Sequence, residues 1–214
     1  MYTPAAFLET RIEVMEAAMT VHPLAAVVTM ASNRIEASHI PLLYARSENG
    51  FGVLRGHMAR ANPQWKEYLP GAEALAIFNG PQHYVSPGWY PSAREHGKVV
   101  PTWNYVVVHA RGTLLIHENR EWLLENVRML TDRHEAGMER PWGVDDAPAD
   151  YIENLTRAIV GIEMIVSSLE GKWKVSQNRS DADRLGVIGG LQALASSEAL
   201  SMAHLVETAL KTKK

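Results

Sequence analysis

The sequence predicts an α+β, mainly β protein: an antiparallel sheet that curls into a barrel, with peripheral helices and a helical C-terminus. Short β-branched or alternating runs follow one another from Leu24 to Ile116. The connections between them are turns rather than long crossovers, and such short loops favour antiparallel pairing. Helical patterns are concentrated before and after this region. About five strands connected in this way indicate a barrel rather than a parallel doubly wound sheet.

The first elements are a helix and a series of strands. Thr3 and Pro4 can start a helical segment, and the pattern from Ile12 to Val21 is helical until His22-Pro23 ends it. Each run that follows is short enough to be a strand. The predicted strands are Leu24–Met30, Arg34–Tyr44, Phe51–His57, Ala74–Asn79 and Val99–Ile116.

Helices return in the last third of the chain. Asn119 can cap one helix, and a second helix is predicted near Asp150–Ile159. A late strand over Gly161–Leu169 is expected to end at Glu170-Gly171. Ser180 and Ser196 then start two final helices. We therefore expect one barrel domain over 1–178, and a helical extension over 179–214 that packs on this domain or on a partner subunit.

Composition narrows the possible classes of protein. The 214 residues carry a formal net charge of -3 and no cysteine, which excludes disulfides, thiolate metal sites and a global basic surface for nucleic acid. The N-terminus does not have the order of a signal peptide, and the uncharged run Leu185–Ser197 is too short to cross a bilayer. A cytoplasmic protein without membrane anchoring is expected.

An aromatic segment from His83 to Tyr105 is the strongest candidate for a binding site. It holds five of the thirteen Trp and Tyr residues of the chain, together with three prolines and Lys98. Rings beside hydroxyls, an amide and a cation suit a flat, polar-edged, anionic ligand. Alternation places Lys98, Val100, Thr102 and Asn104 on one side of the strand and Trp103 and Tyr105 on the other, although Pro101 could disturb this order. Either the polar side meets the hydrogen-bonding edge of a ligand or the aromatic side supplies a stacking wall, and the sequence does not choose between them.

Two further segments provide cations. In Leu54–Trp65, Asn62 and Pro63 fit the start of a helix just after Arg55, His57 and Arg60, a corner that attracts a phosphate. In Gly171–Asn178 two lysines, a Trp and three neutral polar side chains form a predicted loop. Solvated arginines and a surface loop are the alternative interpretations of these segments.

Several well-defined nucleotide-binding and catalytic motifs are absent from the sequence. There is no GxGxxG, GxxxxGK[ST], HExxH or GxSxG pattern, so a Rossmann nucleotide site, a triphosphate loop, a zinc protease and a serine hydrolase are not supported. No metal site is predicted, and no side chain has a recognisable catalytic role.

Four segments, RGHMARANPQW, GPQHYVSPGWY, KVVPTWNY and GKWKVSQNR, resemble in order and spacing the FMN-binding negative transcriptional regulators of the PaiB type. The resemblance spans the chain to about Leu194. It implies a split β-barrel similar to pyridoxamine-phosphate oxidases and flavin reductases, usually a homodimer with FMN at the subunit interface. The implied cofactor residues are Arg55, His57, Arg60, Asn62, Ser86, Trp89, Lys98, Thr102, Trp103, Asn104, Trp173, Lys174 and Gln177, with Ser38, His39, Tyr84 and Lys172 as weaker candidates.

Three functions stay open at this point. The resemblance implies an FMN-binding regulator, and DNA is a weak partner hypothesis that rests on the two terminal helices and a tail with Lys211, Lys213 and Lys214. The alternative is a flavin-dependent oxidoreductase that uses NAD(P)H. Haem binding is a more distant option.

Overall fold

A computed structural model of the chain describes residues 1–47 and 50–212. Within them the chain forms seven α-helices and eight strands. The helices are α1 (Ile12–Val21), α2 (Gln64–Glu67), α3 (Ser92–Glu95), α4 (Arg120–Glu135), α5 (Ala149–Arg157), α6 (Asp181–Leu194) and α7 (Ser197–Lys211). The strands are β1 (Leu8–Glu9), β2 (Leu24–Met30), β3 (Ile35–Pro41), β4 (Leu43–Ala45), β5 (Val53–Ala59), β6 (Ala74–Val85), β7 (Thr102–His117) and β8 (Ile159–Lys174).

The strands form one sheet in the order β3-β2-β6-β7-β8-β5-β4, and β1 pairs with β8 off this path. The pairs β1–β8, β2–β3, β2–β6, β4–β5 and β5–β8 are antiparallel, with for example Leu24 opposite Pro41 and Val53 opposite Ile165. The predicted antiparallel, mainly β fold with peripheral helices is therefore confirmed. None of the described helices is long and apolar enough to cross a membrane.

Several predicted strand boundaries were wrong. The strand predicted over Ala74–Asn79 continues to Val85, and the strand predicted over Val99–Ile116 begins at Thr102. The run Arg34–Tyr44 forms two strands rather than one. The strand is interrupted at Leu42, whose N–H donates to the Pro23 carbonyl at 2.9 Å. The late strand does not end at Glu170-Gly171 but continues to Lys174. Gly171 serves close packing rather than a turn, since a Cβ there would lie 2.9 Å from the Glu9 carbonyl oxygen on β1.

The chain divides into two compact units. Unit 1 comprises Met1–Met15, Asn79–Val108 and Glu170–Lys214, and unit 2 comprises Glu16–Phe78 and His109–Leu169. Strands β6, β7 and β8 contribute residues to both. The core of unit 1 is built from one side of these strands and the inner faces of α6 and α7, with Val85, Val106, Val175, Leu191 and Met202 all buried.

Helices α6 and α7 of unit 1 start where the sequence predicts. Ser180 Oγ accepts from the Asp183 N–H, and Ser196 Oγ accepts from the Ala199 N–H, each at 3.2 Å. These caps satisfy backbone donors that a helix start leaves open. Between the two helices Ala195 adopts a left-handed conformation at φ 56°, which ends α6 and allows α7 to return.

In unit 2, α4 lies on strands β5 and β8. Asn119 caps it as predicted, with Oδ1 accepting from the Trp122 N–H at 2.9 Å. The Trp122 ring covers Gly161 so closely that a Cβ at that position would lie 2.1 Å from Cζ3 of the ring. The absence of a side chain at Gly161 thus allows the helix to pack on the sheet.

Candidate functional site

Strand β7 presents different side chains to its two sides in unit 1. Asn104 is buried, and its Nδ2 donates to Ser176 Oγ at 2.9 Å. Trp103 and Tyr105 alternate with it, and Trp103 is 53% exposed. The observed strand begins at Thr102, so Lys98 and Val100 precede it, and the predicted polar side of this strand is reduced to Thr102 and Asn104.

Strand β8 continues the side that carries Trp103 and Tyr105. Lys172 Nζ lies 5.2 Å and Lys174 Nζ 5.9 Å from the centre of the Tyr105 ring, distances typical of cation–π contacts. Lys174 Nζ also donates to Thr102 Oγ1 and, at 2.6 Å, to the Trp103 carbonyl. Both lysines are thus fixed above β7 by contacts with neutral groups.

The aromatic part of this surface extends to β6. Tyr84 is 40% exposed and meets Trp103 edge to face, with ring centres 6.3 Å apart. We call Tyr84, Trp103, Tyr105, Lys172 and Lys174 the aromatic–cation face. It exposes the Trp103 and Tyr84 rings beside the half-buried Lys174, with Lys172 buried next to Tyr105. The opposite side of the same strands is buried in the core of unit 1.

The charges of this face are not neutralised by carboxylates. Among the described residues, no acidic side chain forms a salt bridge with Lys172 or Lys174. Lys172 is 9% exposed and donates to the Tyr2 carbonyl at 3.1 Å. Burial lowers the pKa of the Lys174 ammonium, and the positive charges of Lys172 and Arg179 lower it further. A bound anion would relieve this repulsion.

Chemically, the face can bind a planar group with a negative or carbonyl-bearing edge. The Trp103 and Tyr84 rings offer apolar contact to such a group. Lys174 and the Thr102 hydroxyl offer donors to its edge. A flavin ring has this shape and this type of edge, so the donor set of unit 1 fits a flavin.

Other predicted residues of unit 1 have structural contacts. Trp89 packs on α6, where a Cβ at Gly190 would lie 2.3 Å from the indole ring. Ser86 Oγ caps the short turn at Gly88. Gln177 closes the end of β8, with Nε2 donating to the Trp173 carbonyl and Oε1 accepting from the Val175 N–H. Lys98 is exposed outside β7.

The prediction that Trp173 lies in a loop was wrong, because this residue lies on strand β8. Its side chain is partly buried against the core of unit 1, on the opposite side from Lys172 and Lys174. The strand ends at Lys174, and Ser176 beyond it has a φ of 66°. Trp173 therefore does not cover the rings of the aromatic–cation face.

The predicted phosphate corner lies in unit 2, where its cations have protein partners. Arg55 Nε donates to Glu163 Oε2 at 2.7 Å, and its guanidinium lies 5.9 Å from the Trp122 ring centre. His57 lies near Asn126, with Nδ1 3.4 Å from Nδ2. Burial lowers the pKa of His57, which favours the neutral imidazole.

Arg60 is the most fully engaged cation of the corner. It donates to Glu118 Oε2 at 2.5 Å and to the Arg157 and Ile159 carbonyls at 2.9 and 3.1 Å. These contacts attach the end of β5 to the start of β8. Arg60 therefore has a structural role in unit 2, and its donors are largely used within the protein.

The helix after the corner is short. Helix α2 has four residues and begins at Gln64. Its N-cap residue is Pro63, so the prediction that Asn62 is the N-cap was wrong by one residue. Asn62 nevertheless accepts from the Gln64 N–H at 3.0 Å and donates to Ser38 Oγ at 2.8 Å. His39 lies exposed on β3. The corner fits a phosphate less well than the aromatic–cation face fits a ring.

Sequence reasoning placed Tyr105 on the same side as Trp103 without including it among the cofactor residues, and it missed Arg179. Tyr105 receives both lysines above its ring, and Arg179 adds to the positive charge that acts on Lys174. Strand alternation from Trp103 places Tyr105 on the same side, so the signal for it was present. No comparable periodic signal exists for Arg179, which follows the end of β8.

A family model described as "Putative FMN-binding domain" matches residues 1–168. The Bacillus subtilis protein named "Protease synthase and sporulation protein PAI 2" is 32% identical over 211 residues, covering 99% of each chain. An uncharacterised protein of Emericella nidulans is 34% identical over 241 residues, covering 96% of each chain.

Two solved structures share the fold. The flavocytochrome Anf3 from Azotobacter vinelandii superimposes with a TM-score of 0.56 at 16% identity, covering 78% of this chain and 69% of that chain. The FAD and heme binding protein from Mycobacterium smegmatis gives a TM-score of 0.54 at 16% identity, covering 78% and 73%. At these identities the likeness shows the split-barrel fold.

Proposed function

Because the chain belongs to the family of FMN-binding split-barrel proteins of the PaiB type, we propose that it binds FMN and acts as a negative transcriptional regulator. The observation that carries the FMN proposal is the pair of lysines on the aromatic–cation face, which have no carboxylate partner among the described residues. A flavin ring placed on this face would neutralise them. When bound, the flavin supplies one- or two-electron redox chemistry.

The residues of the face would bind and orient the ring. Trp103 and Tyr84 would contact its apolar area, while Lys174 and Thr102 would donate to its polar edge. Lys174 would also favour negative charge on that edge, because the ammonium is held in place before the ligand binds. The face has no carboxylate or imidazole in a position to transfer a proton, within the residues that the structure describes.

We propose separately that the corner formed by Arg55, His57, Arg60 and Asn62 binds a phosphate. The support is a high density of donors in one short segment of unit 2. Phosphate binding there requires that some of these donors leave their protein partners. This part of the proposal is accordingly tested by its own variant, described below.

A homodimer is proposed as the working assembly, with the cofactor at the subunit interface. Large exposed side chains on unit 1 support it: Trp103, Tyr84 and Val100 are 53%, 40% and 65% exposed. Aromatic residues are enriched in protein interfaces, and an isolated chain rarely leaves several exposed together without a partner. Light scattering of the purified protein should give twice the chain mass.

Regulation is favoured over turnover by the relationship to the Bacillus subtilis protein, whose name refers to protease synthesis and sporulation. The cysteine-free composition fits a reducing compartment such as the cytoplasm. Direct DNA reading by α7 has little support. In its described part, Lys211 pairs with Glu207 at 2.7 Å, and Glu198 is exposed. Lys213 and Lys214 lie outside the described residues.

The decisive experiment for cofactor binding is a titration of the purified protein with FMN, riboflavin and FAD, followed by flavin fluorescence. We expect FMN to bind more tightly than riboflavin, because the phosphate adds charge-assisted contacts. The absorbance spectrum and the extracted cofactor mass should identify any flavin that copurifies. A colourless protein that does not bind added FMN would refute the proposal, and a Soret band would redirect it to haem.

The regulatory proposal has a separate test. Operator fragments from the protein's own genome and scrambled duplexes are compared at several salt concentrations. Selective binding to an operator supports regulation through DNA, whereas equal binding to all duplexes contradicts it. Bleaching of the bound flavin by NADH or NADPH would instead support the oxidoreductase alternative.

A further inference from the structure

Three positive side chains lie close together at the end of β8 in unit 1. Lys172 and Lys174 are on the strand, and Arg179 follows it. Burial lowers the pKa of the Lys174 ammonium, and the charges of Lys172 and Arg179 lower it further, so all three cations act on one another. Among the described residues, none of the three forms a salt bridge with a carboxylate.

The acidic side chains near these cations are engaged by other groups. Asp183, whose charge interacts with that of Arg179, accepts from the Ser92 N–H at 3.1 Å and from the Ser92 hydroxyl at 2.9 Å. Glu170, on the same side of β8 as the two lysines, accepts from the Met1 ammonium at 2.8 Å. Even with Asp183 assigned to Arg179, the two lysines leave an excess of positive charge on this part of unit 1.

The ammonium groups of the lysines are held in place before any ligand binds. Lys174 Nζ donates to the Trp103 carbonyl at 2.6 Å and to Thr102 Oγ1, and the residue is half-buried, so a ligand on the aromatic–cation face can reach it. Lys172 is buried 5.2 Å from the Tyr105 ring centre and acts on a ligand through its charge rather than by contact. Fixed charges at partly buried positions act more strongly than charges in water, and they need no rearrangement.

The two redox states of a flavin differ in the charge of the ring. The oxidised ring is neutral and offers only acceptor atoms to the cations of the face. Uptake of two electrons and one proton gives a reduced ring that carries one negative charge near neutral pH. A phosphate contributes equally in both states, wherever it binds. The difference in affinity between the two states therefore reports on the ring and its surroundings alone.

From these observations, and resting on the flavin site proposed above, we infer that the aromatic–cation face is selective for the reduced, anionic flavin over the oxidised flavin. Lys174 contacts the polar edge of the ring, while Lys172 and Arg179 add their positive charges at longer distance. Occupancy of the site then follows the supply of reduced flavin, which makes binding a response to the redox state of the surroundings.

The reduction itself requires no acid or base from the face. A reduced nicotinamide supplies both electrons and the hydrogen as one hydride. The C–H bond of the nicotinamide breaks, an N–H bond forms on the flavin, and the electron pair leaves one negative charge on the ring. The cations of the face stabilise this charge without transferring a proton.

Anaerobic calorimetric titration of the full chain tests the inference, with oxidised FMN and with FMN reduced by dithionite, at about pH 8 so that the reduced ring is anionic. We expect reduced FMN to bind about tenfold more tightly or better. Tenfold corresponds to a two-electron reduction potential about 30 mV higher for bound than for free FMN, which equilibration with a redox dye measures independently. Riboflavin should show the same ratio, because the ring carries the effect.

Two variants separate charge from contact. Arg179→Gln removes a positive charge outside the face, so affinity for oxidised FMN should stay within about twofold while the preference for reduced FMN falls at least about twofold. Lys174→Met should weaken binding of both states and of the reduced state more, and it decides the matter if Arg179→Gln fails to fold. Lys66→Met, exposed on α2 in unit 2, should keep the ratio of the wild type.

The outcomes distinguish this inference from the flavin site on which it rests. Equal affinity for oxidised and reduced FMN would overturn the selectivity and leave FMN binding intact. A ratio that stays at the wild-type value in both Arg179→Gln and Lys174→Met would overturn the role of these cations. Absence of binding in both redox states would refute the flavin site itself, and the inference with it.

Discussion

The cations of the two units differ in what surrounds them. In unit 2, Arg55 is paired with Glu163, and Arg60 binds Glu118 and two backbone carbonyls. In unit 1, Lys172 and Lys174 contact only neutral oxygens and rings among the described residues. A cation with a carboxylate stabilises its own unit. A cation held in place without one keeps its charge for a ligand, and we expect this difference to separate structural from binding residues here.

The largest expected effect is on Lys174. Lys174→Met keeps the length of the side chain and removes its charge. A charge-assisted hydrogen bond contributes about 1.5–3 kcal/mol, so FMN affinity should fall about 10- to 150-fold. The melting temperature should stay the same or rise, because the repulsion from Lys172 and Arg179 is removed.

Lys66→Met is the matched control, since Lys66 is exposed on α2 in unit 2. Fluorescence titration gives the affinities, and thermal denaturation gives the stabilities. Equal FMN affinity in Lys174→Met and the wild type would remove the basis of the ring site.

The next largest effect concerns Arg60, a cation of unit 2 that is paired with a carboxylate. Arg60→Ala should lower the free energy of unfolding by about 1–3 kcal/mol, because two carbonyls and Glu118 lose their donor. FMN affinity should change less than in Lys174→Met. Urea denaturation measures the loss.

Arg94→Ala, at an exposed position on α3, controls for a lost arginine. If Arg60→Ala instead reduces FMN affinity strongly and leaves stability intact, the phosphate role predicted from the sequence is correct, and the distinction between the two units fails.

A smaller effect is expected for the exposed ring. Trp103→Leu removes aromatic contact worth about 0.5–1.5 kcal/mol, so FMN affinity should fall roughly 2- to 12-fold. Stability should hardly change, since the side chain is half exposed. Trp142→Leu, with a similarly exposed ring in unit 2, should leave FMN affinity unaltered. A large loss of stability in Trp103→Leu would identify the ring as a packing residue.

The smallest expected effect concerns His57. Its pKa is lowered by burial, so the unfolded chain binds a proton more readily than the folded one. Stability should be lost as pH falls below the ordinary value of 6.5 towards the lowered pKa, and it should be retained above it. The difference in unfolding free energy between wild type and His57→Gln, measured from pH 8 to pH 5, isolates this residue. A difference that is constant with pH would show that His57 is not a buried neutral base.

The sequence predicted the sheet and the helix starts well, because these depend on local signals. Asn119, Ser180 and Ser196 cap helices as expected, and the runs from Leu24 to Ile116 are strands. The end of β8 could not be predicted. Gly171 looks like a turn residue in the sequence, but its close contact with Glu9 in β1 is formed only in the fold.

The candidate site was predicted in outline only. Composition identified the segments with rings and cations. Whether each cation is paired with a carboxylate, however, depends on residues that are distant in the sequence. Glu163 lies 108 positions from Arg55, and Glu118 lies 58 positions from Arg60. No local pattern reveals such pairs, so Arg60 and Lys174 looked equivalent in the sequence.

Strand β8 presents two different sets of side chains on its two faces. Lys172 and Lys174 lie towards the Tyr105 ring, whereas Trp173, and Val175 just after the strand, line the cavity beside Leu205 and Ala209. Because side chains of a strand alternate with a period of two, loss of one residue upstream would exchange the two sets. Ammonium groups would then enter the apolar cavity, and an indole would replace a lysine beside Tyr105. Within the family, this stretch should therefore tolerate substitutions far better than insertions or deletions of single residues.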